Sequence, residues 1–266
     1  MKRIDFMVEH GSCTARVESY LLDAAFNGET RPDFPAVLIC PGGGYGFVSD
    51  REGEPIALRF NAAGFHAFVL CYTVAPEATY PVALVQAAKA LSMIRRHAEE
   101  WHLNPNQIAV CGFSAGGHLA GSLSVLWDSG TVRQALDKGD NPRPNAQVLC
   151  YPVITSGKFA HKGSFYNLLG EEYSEETATA VSLERLVRAD TPPAFLWHTV
   201  TDNDVPVENS MLYACALRRA GVPFEMHLYE KGRHGLSLCD ETTGESAPDC
   251  ASWFELAVQF LRRLSS

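Results

Sequence analysis

The segment Gly112-Phe113-Ser114-Ala115-Gly116 lies between an apolar run, residues 107–111, and a run typical of a helix, residues 117–126. This order of strand, serine turn and helix is typical of a nucleophile elbow, in which a serine sits on a sharp, strained turn. Glycines two residues before and after the serine leave room for that turn, because they carry no Cβ atom. The five-residue pattern alone has low specificity, so its setting decides the interpretation.

Short, continuous apolar runs recur along the chain and predict strands that are buried on both faces. They are residues 36–40, 67–71, 108–111, 147–151 and 194–197. Segments 82–100, 207–220 and 251–264 place apolar residues at three- and four-residue spacings, which predicts helices. We therefore expect an α/β fold with a mostly parallel central sheet and helices on both faces. The elbow then lies at the carboxyl ends of the strands, where such sheets bind ligands.

The domain organisation is predicted to be simple, since no linker rich in Pro, Gly or Ser divides residues 1–266. Residues 4–8 and 17–21 partly alternate between apolar and polar, which predicts two half-exposed strands at the start of the sheet. The polar, glutamate-rich stretch 155–190 interrupts the alternation of strands and helices. We interpret it either as a solvated excursion with a short helix or as a small cap over the pocket.

The composition and net charge of the chain exclude some classes of binding partner. A formal net charge of -9 argues against a nucleic-acid or anionic-membrane partner and favours a small-molecule substrate. Residues 1–10 contain no continuous apolar segment, and no later run approaches 18 apolar residues, so we expect a cytoplasmic protein. The 8 cysteines include no C-x-x-C pair and are expected to be reduced, and neither a metal nor a cofactor is predicted.

A serine nucleophile requires a base and an acid, which on this architecture follow in the order Ser, Asp or Glu, His. Asp202 follows the predicted strand at 194–197, whereas Asp204 lies nearer a predicted helix start, where an acid caps free N–H groups. Position therefore favours Asp202. Among the 9 histidines, His234 follows a strand-like segment and is flanked by Gly232 and Gly235. We predict Ser114, Asp202 and His234 as a catalytic triad.

Acyl transfer also needs N–H donors for the developing oxyanion. Pro41-Gly42-Gly43-Gly44-Tyr45 follows the predicted strand at 36–40, which is where an oxyanion loop belongs. A phosphate-binding loop is poorly supported, because no G-K-[ST] follows the glycines. We therefore expect the amides of Gly43, Gly44 and Ala115 to form the oxyanion hole.

Five segments together resemble the α/β-hydrolase esterases related to acetylxylan and feruloyl esterases. They are residues 41–45, 112–118, 191–198, 202–206 and 232–235. The resemblance implies the α/β-hydrolase fold and the triad Ser114, Asp202 and His234, in agreement with the assignment from position. It also implies a serine carboxylesterase that removes short acyl groups, such as acetyl, from sugars or xylo-oligosaccharides. One departure is that the related hormone-sensitive-lipase-like group begins this loop with His, where the chain has Pro41.

Several questions stay open at this point. Tyr45, Phe113, Tyr166 and Trp197 are candidates to line the pocket or stack on a sugar, with a place in the core or at the rim as the alternative. An arylformamidase or small peptidase of the same fold, and a catalytically silent binding protein, are the competing functions. The sequence does not distinguish acyl lengths, and it leaves open whether the chain is a monomer or a homodimer.

Overall fold

Ten strands are found in the computed structural model, which describes residues 2–26, 29–30 and 33–264. They are β1 (Phe6–His10), β2 (Cys13–Tyr20), β3 (Ala25–Phe26), β4 (Glu29–Thr30), β5 (Phe34–Cys40), β6 (His66–Cys71), β7 (Leu103–Phe113), β8 (Ala146–Cys150), β9 (Ala194–Thr199) and β10 (Phe224–Tyr229).

Ten α-helices lie within the same described residues. They are α1 (Glu54–Ala62), α2 (Val82–Arg96), α3 (Ala98–Trp101), α4 (Ala115–Leu126), α5 (Gly130–Ala135), α6 (Lys162–Leu169), α7 (Glu175–Ala180), α8 (Glu208–Ala220), α9 (Pro248–Ala251) and α10 (Trp253–Arg263). Short 3-10 turns occur at Asp50–Glu52, Gly170–Glu172, Leu183–Arg185 and Glu241–Thr243. None of the described helices combines the length and the apolar character needed to cross a bilayer.

Eight of the strands form one sheet in the order β1-β2-β6-β5-β7-β8-β9-β10. Every neighbouring pair from β6 to β10 is parallel, whereas β1 and β2, and β2 and β6, are antiparallel. β3 and β4 pair separately. The parallel strands are linked through helices, as parallel pairs require. The prediction of an α/β-hydrolase fold with a mostly parallel central sheet is confirmed.

The core lies on both faces of this sheet, because successive side chains of a strand point to opposite sides. On one face, Leu38 and Val110 pack in a cluster with buried residues of α2, α4 and α8. On the other face, Ile39, Val148 and Trp197 pack with residues of α1 and α10. This two-sided burial explains why the strands read as continuous apolar runs.

Strand register brings the functional loops to one edge of the sheet. Cys40 pairs with Gly112, and Cys150 pairs with both Phe113 and Trp197, so β5, β7, β8 and β9 end at nearly the same level. The segments that follow these strands therefore emerge side by side. They include the predicted oxyanion loop, the serine turn and the segment that carries Asp202.

The stretch 155–190 lies between β8 and β9 and contains α6, α7 and two 3-10 turns. Its glutamates 171, 172, 175 and 176 are exposed, as a solvated excursion predicts. However, Phe165, Leu168 and Leu183 are buried, so the stretch also packs an apolar face onto the core. It is thus more ordered and less peripheral than an excursion with one short helix.

Candidate active site

Ser114 occupies the turn between β7 and α4 with φ 54° and ψ -120°, a conformation that costs a non-glycine residue energy. The two flanking glycines make this turn sterically accessible. A Cβ at Gly112 would lie 2.1 Å from the carbonyl oxygen of Gly116, and a Cβ at Gly116 would lie 2.1 Å from that of Cys40. The turn is held in place because the Ser114 N–H donates to the Cys150 carbonyl, at 3.0 Å. This is the geometry of a nucleophile elbow.

The imidazole of His234 lies between the other two residues of the predicted triad. Its Nε2 is 2.7 Å from Ser114 Oγ, and its Nδ1 is 2.7 Å from Asp202 Oδ2. A carboxylate can only accept, so Nδ1 donates to Asp202 and Nε2 is left as an acceptor for the serine hydroxyl. The three side chains thus form one hydrogen-bonded chain in the arrangement that activates a serine.

Asp202 is almost fully buried and is held by several donors. Its Oδ1 accepts the backbone N–H groups of Asp204 and Val205, at 3.0 and 2.9 Å. Burial by itself would raise the pKa of Asp202, but hydrogen bonds from His198 and His234 outweigh it and hold this pKa well below its ordinary value. The carboxylate therefore stays ionised and can stabilise a charged imidazolium.

His198 shapes the segment that carries Asp202. Its Nε2 lies 2.9 Å from the Val205 carbonyl oxygen and 3.3 Å from Asp202 Oδ2, and its Nδ1 lies 2.8 Å from Ser210 Oγ. Asp204, in contrast, is exposed and lines the cleft in front of Ser114. It does not cap α8, whose N-terminus has no side-chain cap.

The glycine-rich loop after β5 is tied down on several sides. The Gly43 carbonyl accepts from the N–H of Gly46 at 2.9 Å, Tyr72 donates its hydroxyl to the Pro41 carbonyl at 2.8 Å, and the Asn167 amide donates to the Gly44 carbonyl at 2.9 Å. In the described part of the chain, the N–H groups of Gly43, Gly44 and Ala115 donate to no protein group. These three amides are therefore free to bind a ligand oxygen.

A cleft of about 390 Å³ opens in front of Ser114, a size suited to a small organic ligand. Besides Ser114, His234 and the glycine loop, the walls include Phe47, Arg51, Glu52, His161, Asn167 and Asp204. Most of these side chains are polar and able to form hydrogen bonds. His161 and Asn167 come from the stretch 155–190, which therefore forms one side of the cleft.

The four aromatic pocket candidates are not among the residues that line this cleft, and the structure places them in the core or at the surface, the alternative that the sequence left open. Phe113 and Trp197 are fully buried because they point from their strands into the core beside Trp253. Tyr45 is also buried, and its hydroxyl lies 2.9 Å from Nδ1 of His118. Tyr166 is half exposed and packs on Tyr173 at the surface.

The residues that form the cleft instead were missed by the sequence reasoning. Phe47 lies only two residues beyond the glycine motif, and 63% of its surface is exposed, which is unusual for a phenylalanine. Its closeness to that motif was the signal available in the sequence. His161 and Asn167 carry no such signal, because their place in the cleft depends on how the stretch 155–190 folds back.

His118 belongs to the core rather than to the triad. Its Nε2 lies 2.9 Å from the Val181 carbonyl oxygen. Burial lowers the pKa of His118 to about 4, so the ring is neutral near pH 7.

A second, larger cavity of about 480 Å³ lies at the opposite edge of the sheet, where Pro35, Ala146 and Pro193 mark the amino ends of β5, β8 and β9. Ligands of open α/β sheets bind at the carboxyl ends, and this cavity contains no part of the triad. Across residues 2–26, 29–30 and 33–264, no three His, Cys, Asp or Glu side chains meet in a metal-binding cluster.

The chain is similar to several proteins that are named as esterases. The chain matches the family model described as BD-FAE over residues 22–217. Among curated proteins, it is 31% identical over 241 residues to an acetylxylan esterase from Xylanibacter ruminicola, which covers 88% of this chain and 45% of that protein. It is 38% identical over 208 residues to endo-1,4-beta-xylanase B from Butyrivibrio fibrisolvens, with 77% and 33% covered. The chain thus spans less than half of the length of these two relatives.

Solved structures are similar over nearly the whole chain. An acetyl ester-xyloside bifunctional hydrolase from Caldicellulosiruptor lactoaceticus is 38% identical with a TM-score of 0.84, covering 96% of this chain and 90% of that one. A carboxylesterase from Lactobacillus plantarum is 30% identical with a TM-score of 0.88, covering 100% and 98%.

Proposed function

This chain belongs to the BD-FAE family, and from that premise we propose that it is a serine carboxylesterase for short acyl esters. The observation that carries the proposal is the hydrogen-bonded chain from Ser114 through His234 to Asp202, with both contacts at 2.7 Å. The names of the similar proteins, which include an acetylxylan esterase and a carboxylesterase, support the same reaction class.

In the proposed acylation step, Ser114 Oγ attacks the ester carbonyl carbon while His234 Nε2 takes the hydroxyl proton. Asp202 holds the imidazole in the required tautomer and stabilises its positive charge. The carbonyl oxygen becomes an oxyanion that accepts hydrogen bonds from the amides of Gly43, Gly44 and Ala115. Collapse of this intermediate breaks the ester C–O bond, and His234 gives the proton to the departing alcohol.

Deacylation repeats these steps with water as the nucleophile. His234 takes a proton from water as the oxygen attacks the acyl carbon, and the same amides bind the second oxyanion. The C–O bond to Ser114 then breaks, and the serine recovers its proton from His234. The products are a carboxylic acid and a free Ser114, and no metal or organic cofactor enters the cycle.

We further propose that the alcohol part of the substrate is a sugar, as in an acetylated xylo-oligosaccharide. Arg51, His161, Asn167 and Asp204 offer donors and acceptors for hydroxyl groups around the cleft, whose volume of about 390 Å³ suits a short acyl group with a sugar unit. The acetylxylan esterase among the relatives supports the same substrate class. The stretch 155–190 then serves as a small cap that supplies His161 and Asn167.

Covalent labelling tests the reaction class directly. A fluorophosphonate should modify the folded protein at one site, and peptide mapping should find the adduct on Ser114. An unmodified Ser114 would favour a catalytically silent binding protein.

A substrate panel tests the rest of the proposal. We expect faster release of acetate from acetylated xylo-oligosaccharides and nitrophenyl acetate than from nitrophenyl esters of longer acids. N-formylkynurenine and aminoacyl anilides serve as amide controls. Amide turnover above ester turnover would replace the esterase assignment with an arylformamidase or peptidase.

A further inference from the structure

A nearly buried carboxylate that the proposed mechanism does not use lies in the wall of the cleft. Glu52 ends the 3-10 turn Asp50–Glu52 and is only 2% exposed. Within the described residues it forms no ion pair with a Lys, Arg or His side chain. Burying a carboxylate without a cationic partner is costly, so its hydrogen bonds are informative about its role.

One oxygen of Glu52 holds the glycine loop. Oε2 accepts the Gly42 N–H at 2.8 Å, immediately before the two glycines proposed to bind the oxyanion. This junction is tightly packed, because a Cβ at Gly42 would lie 2.7 Å from Glu52 Oε2 and 3.1 Å from the Cβ of Ser114. The carboxylate therefore fixes the distance between the glycine loop and Ser114.

The other oxygen of Glu52 holds the surface against which His234 packs. Oε1 accepts the hydroxyl proton of Tyr151 at 2.7 Å. The ring of Tyr151 meets that of His234 edge to face, with centroids 5.1 Å apart and an interplanar angle of 73°. The same hydroxyl accepts the N–H of Ser237 at 2.8 Å, three residues after His234. Glu52 thus reaches the histidine loop through Tyr151.

We propose that Glu52 is a positioning residue that keeps the oxyanion loop and the His234 loop in register with each other. This inference rests on the proposed function of Ser114 and His234. The two loops follow β5 and β10, which are not neighbours in the sheet, so hydrogen bonding within the sheet does not align them. The carboxylate of Glu52 aligns them, because it accepts one hydrogen bond from Gly42 in the oxyanion loop and one from Tyr151, which contacts the His234 loop. Displacement of reacting groups by about 1 Å costs on the order of 10²-fold in rate, so such an alignment matters.

Three variants test this inference by steady-state hydrolysis of nitrophenyl acetate. Glu52→Gln keeps the shape and an oxygen that accepts from the Gly42 N–H, but it places an amide NH2, which only donates, opposite the Tyr151 hydroxyl. We expect its kcat to fall about tenfold with KM within threefold, because the acyl group still binds. Glu52→Ala loses both hydrogen bonds and should fall by about 10²-fold. Tyr151→Phe, which breaks only the link to the His234 loop, should lie between wild type and Glu52→Ala.

Two controls separate positioning from general loss of stability. Glu54→Gln changes an exposed carboxylate two residues away, and Tyr213→Phe removes a buried tyrosine hydroxyl that donates to Gln147 at 3.0 Å in the core. Both should keep kcat within twofold, even where thermal unfolding shows Tyr213→Phe to be less stable than wild type. The rate of fluorophosphonate labelling should fall in the Glu52 variants and not in the controls.

The outcomes that overturn the inference are distinct from those that overturn the proposed function. A Glu52→Gln enzyme with kcat within fivefold of wild type overturns it, as does a loss that appears as a raised KM instead. An alanine variant more active than the glutamine variant also overturns it, and if Glu52→Ala does not fold, Glu52→Gln decides. The proposed function itself fails if Ser114→Ala retains turnover, if Ser114 is not labelled by the fluorophosphonate, or if amide turnover exceeds ester turnover in the wild type. None of these results depends on the Glu52 variants.

Discussion

The Oγ atom of Ser114 and the Nε2 atom of His234 lie 2.7 Å apart, although 120 positions separate the two residues in the chain. Each side chain stands at the carboxyl-end edge of the same sheet, on a turn after β7 and on the loop after β10. The hydrogen bond between them is the relationship on which the predictions about activity depend.

Replacing the nucleophile should abolish most turnover. We expect Ser114→Ala to lower kcat for nitrophenyl acetate by about 10⁴-fold or more, because Ser114 carries the hydroxyl that is hydrogen-bonded to His234. Ser124→Ala is the matched control: Ser124 is buried on α4 and donates its hydroxyl to the Ala120 carbonyl at 2.8 Å. Its kcat should stay near that of the wild type. Comparable losses in both variants would indicate a folding defect rather than a nucleophile.

Substitutions of Asp202 and Asp204 should have very different effects on kcat. Asp202→Asn removes the acceptor for His234 Nδ1 and should lower kcat by about 10⁴-fold, as expected when the imidazole takes the wrong tautomer. Asp204→Asn alters only the wall of the cleft and should change kcat less than tenfold. Steady-state kinetics on both purified variants decides between them. A dead Asp204→Asn beside an active Asp202→Asn would show that the other aspartate is the catalytic acid.

Stability should depend on pH through His118. The pKa of His118 is lowered to about 4 in the folded protein against about 6.5 when unfolded, so between these values the unfolded chain binds more protons. The free energy of unfolding is therefore highest above pH 6.5. It falls as the pH decreases toward 4, because the folded protein resists protonation of His118, and the total loss is about 3 kcal/mol.

Urea unfolding at several pH values measures this contribution. His118→Gln retains a donor for the Val181 carbonyl and an acceptor for the Tyr45 hydroxyl but does not titrate. The free energy of unfolding of this variant should therefore fall less steeply between pH 6.5 and 4 than that of the wild type. Parallel curves for the two proteins would refute the assignment.

A methyl group at the elbow should be poorly tolerated. Gly112→Ala would bring a Cβ to 2.1 Å from the Gly116 carbonyl oxygen, which forces the backbone to move. We expect a loss of about 3 kcal/mol or failure to fold, since backbone atoms cannot rotate away as a flexible side chain can. Gly130→Ala is the control, because no atom lies within 4 Å of its added Cβ. Equal unfolding midpoints for the two variants would contradict the packing of the turn.

Loss of the Asn167 amide should loosen the oxyanion loop from the side of the proposed cap. Asn167→Ala removes the hydrogen bond to the Gly44 carbonyl and a polar group from the cleft. We expect kcat/KM for acetylated xylo-oligosaccharides to fall about tenfold, the scale of one lost hydrogen bond of about 1.4 kcal/mol. Asn61→Ala, which alters a residue of α1 outside the cleft, should leave kcat/KM unchanged. No change in Asn167→Ala would argue against the cap.

Much of the fold could be predicted because its signals are local. Continuous apolar runs mark β5 to β9, and the sheet proved to be mostly parallel, as those runs indicate. The sequence left alternatives open where a residue's environment depends on the direction of its side chain. Phe113 lies beside the nucleophile in sequence yet points into the core, because neighbouring positions of a strand face opposite sides.

Some residues of the site could likewise be predicted from local sequence signals, and others could not. The sequence contains a glycine-flanked serine, an acid at the end of a strand and a glycine-flanked histidine. This pattern predicted Ser114, Asp202 and His234. The same pattern does not identify Glu52, which is one of 31 acidic residues in the chain. Only its burial and its two donors distinguish it.

The sequence by itself therefore determined the class of fold and the turn that carries Ser114, because backbone sterics and apolar periodicity act between near neighbours. Tertiary structure alone decided which side chains surround the cleft and that Glu52 accepts hydrogen bonds from both Gly42 and Tyr151. The physical reason is that hydrogen bonds act over about 3 Å in space, and distances between residues far apart in the chain are set only when the sheet and its helices pack.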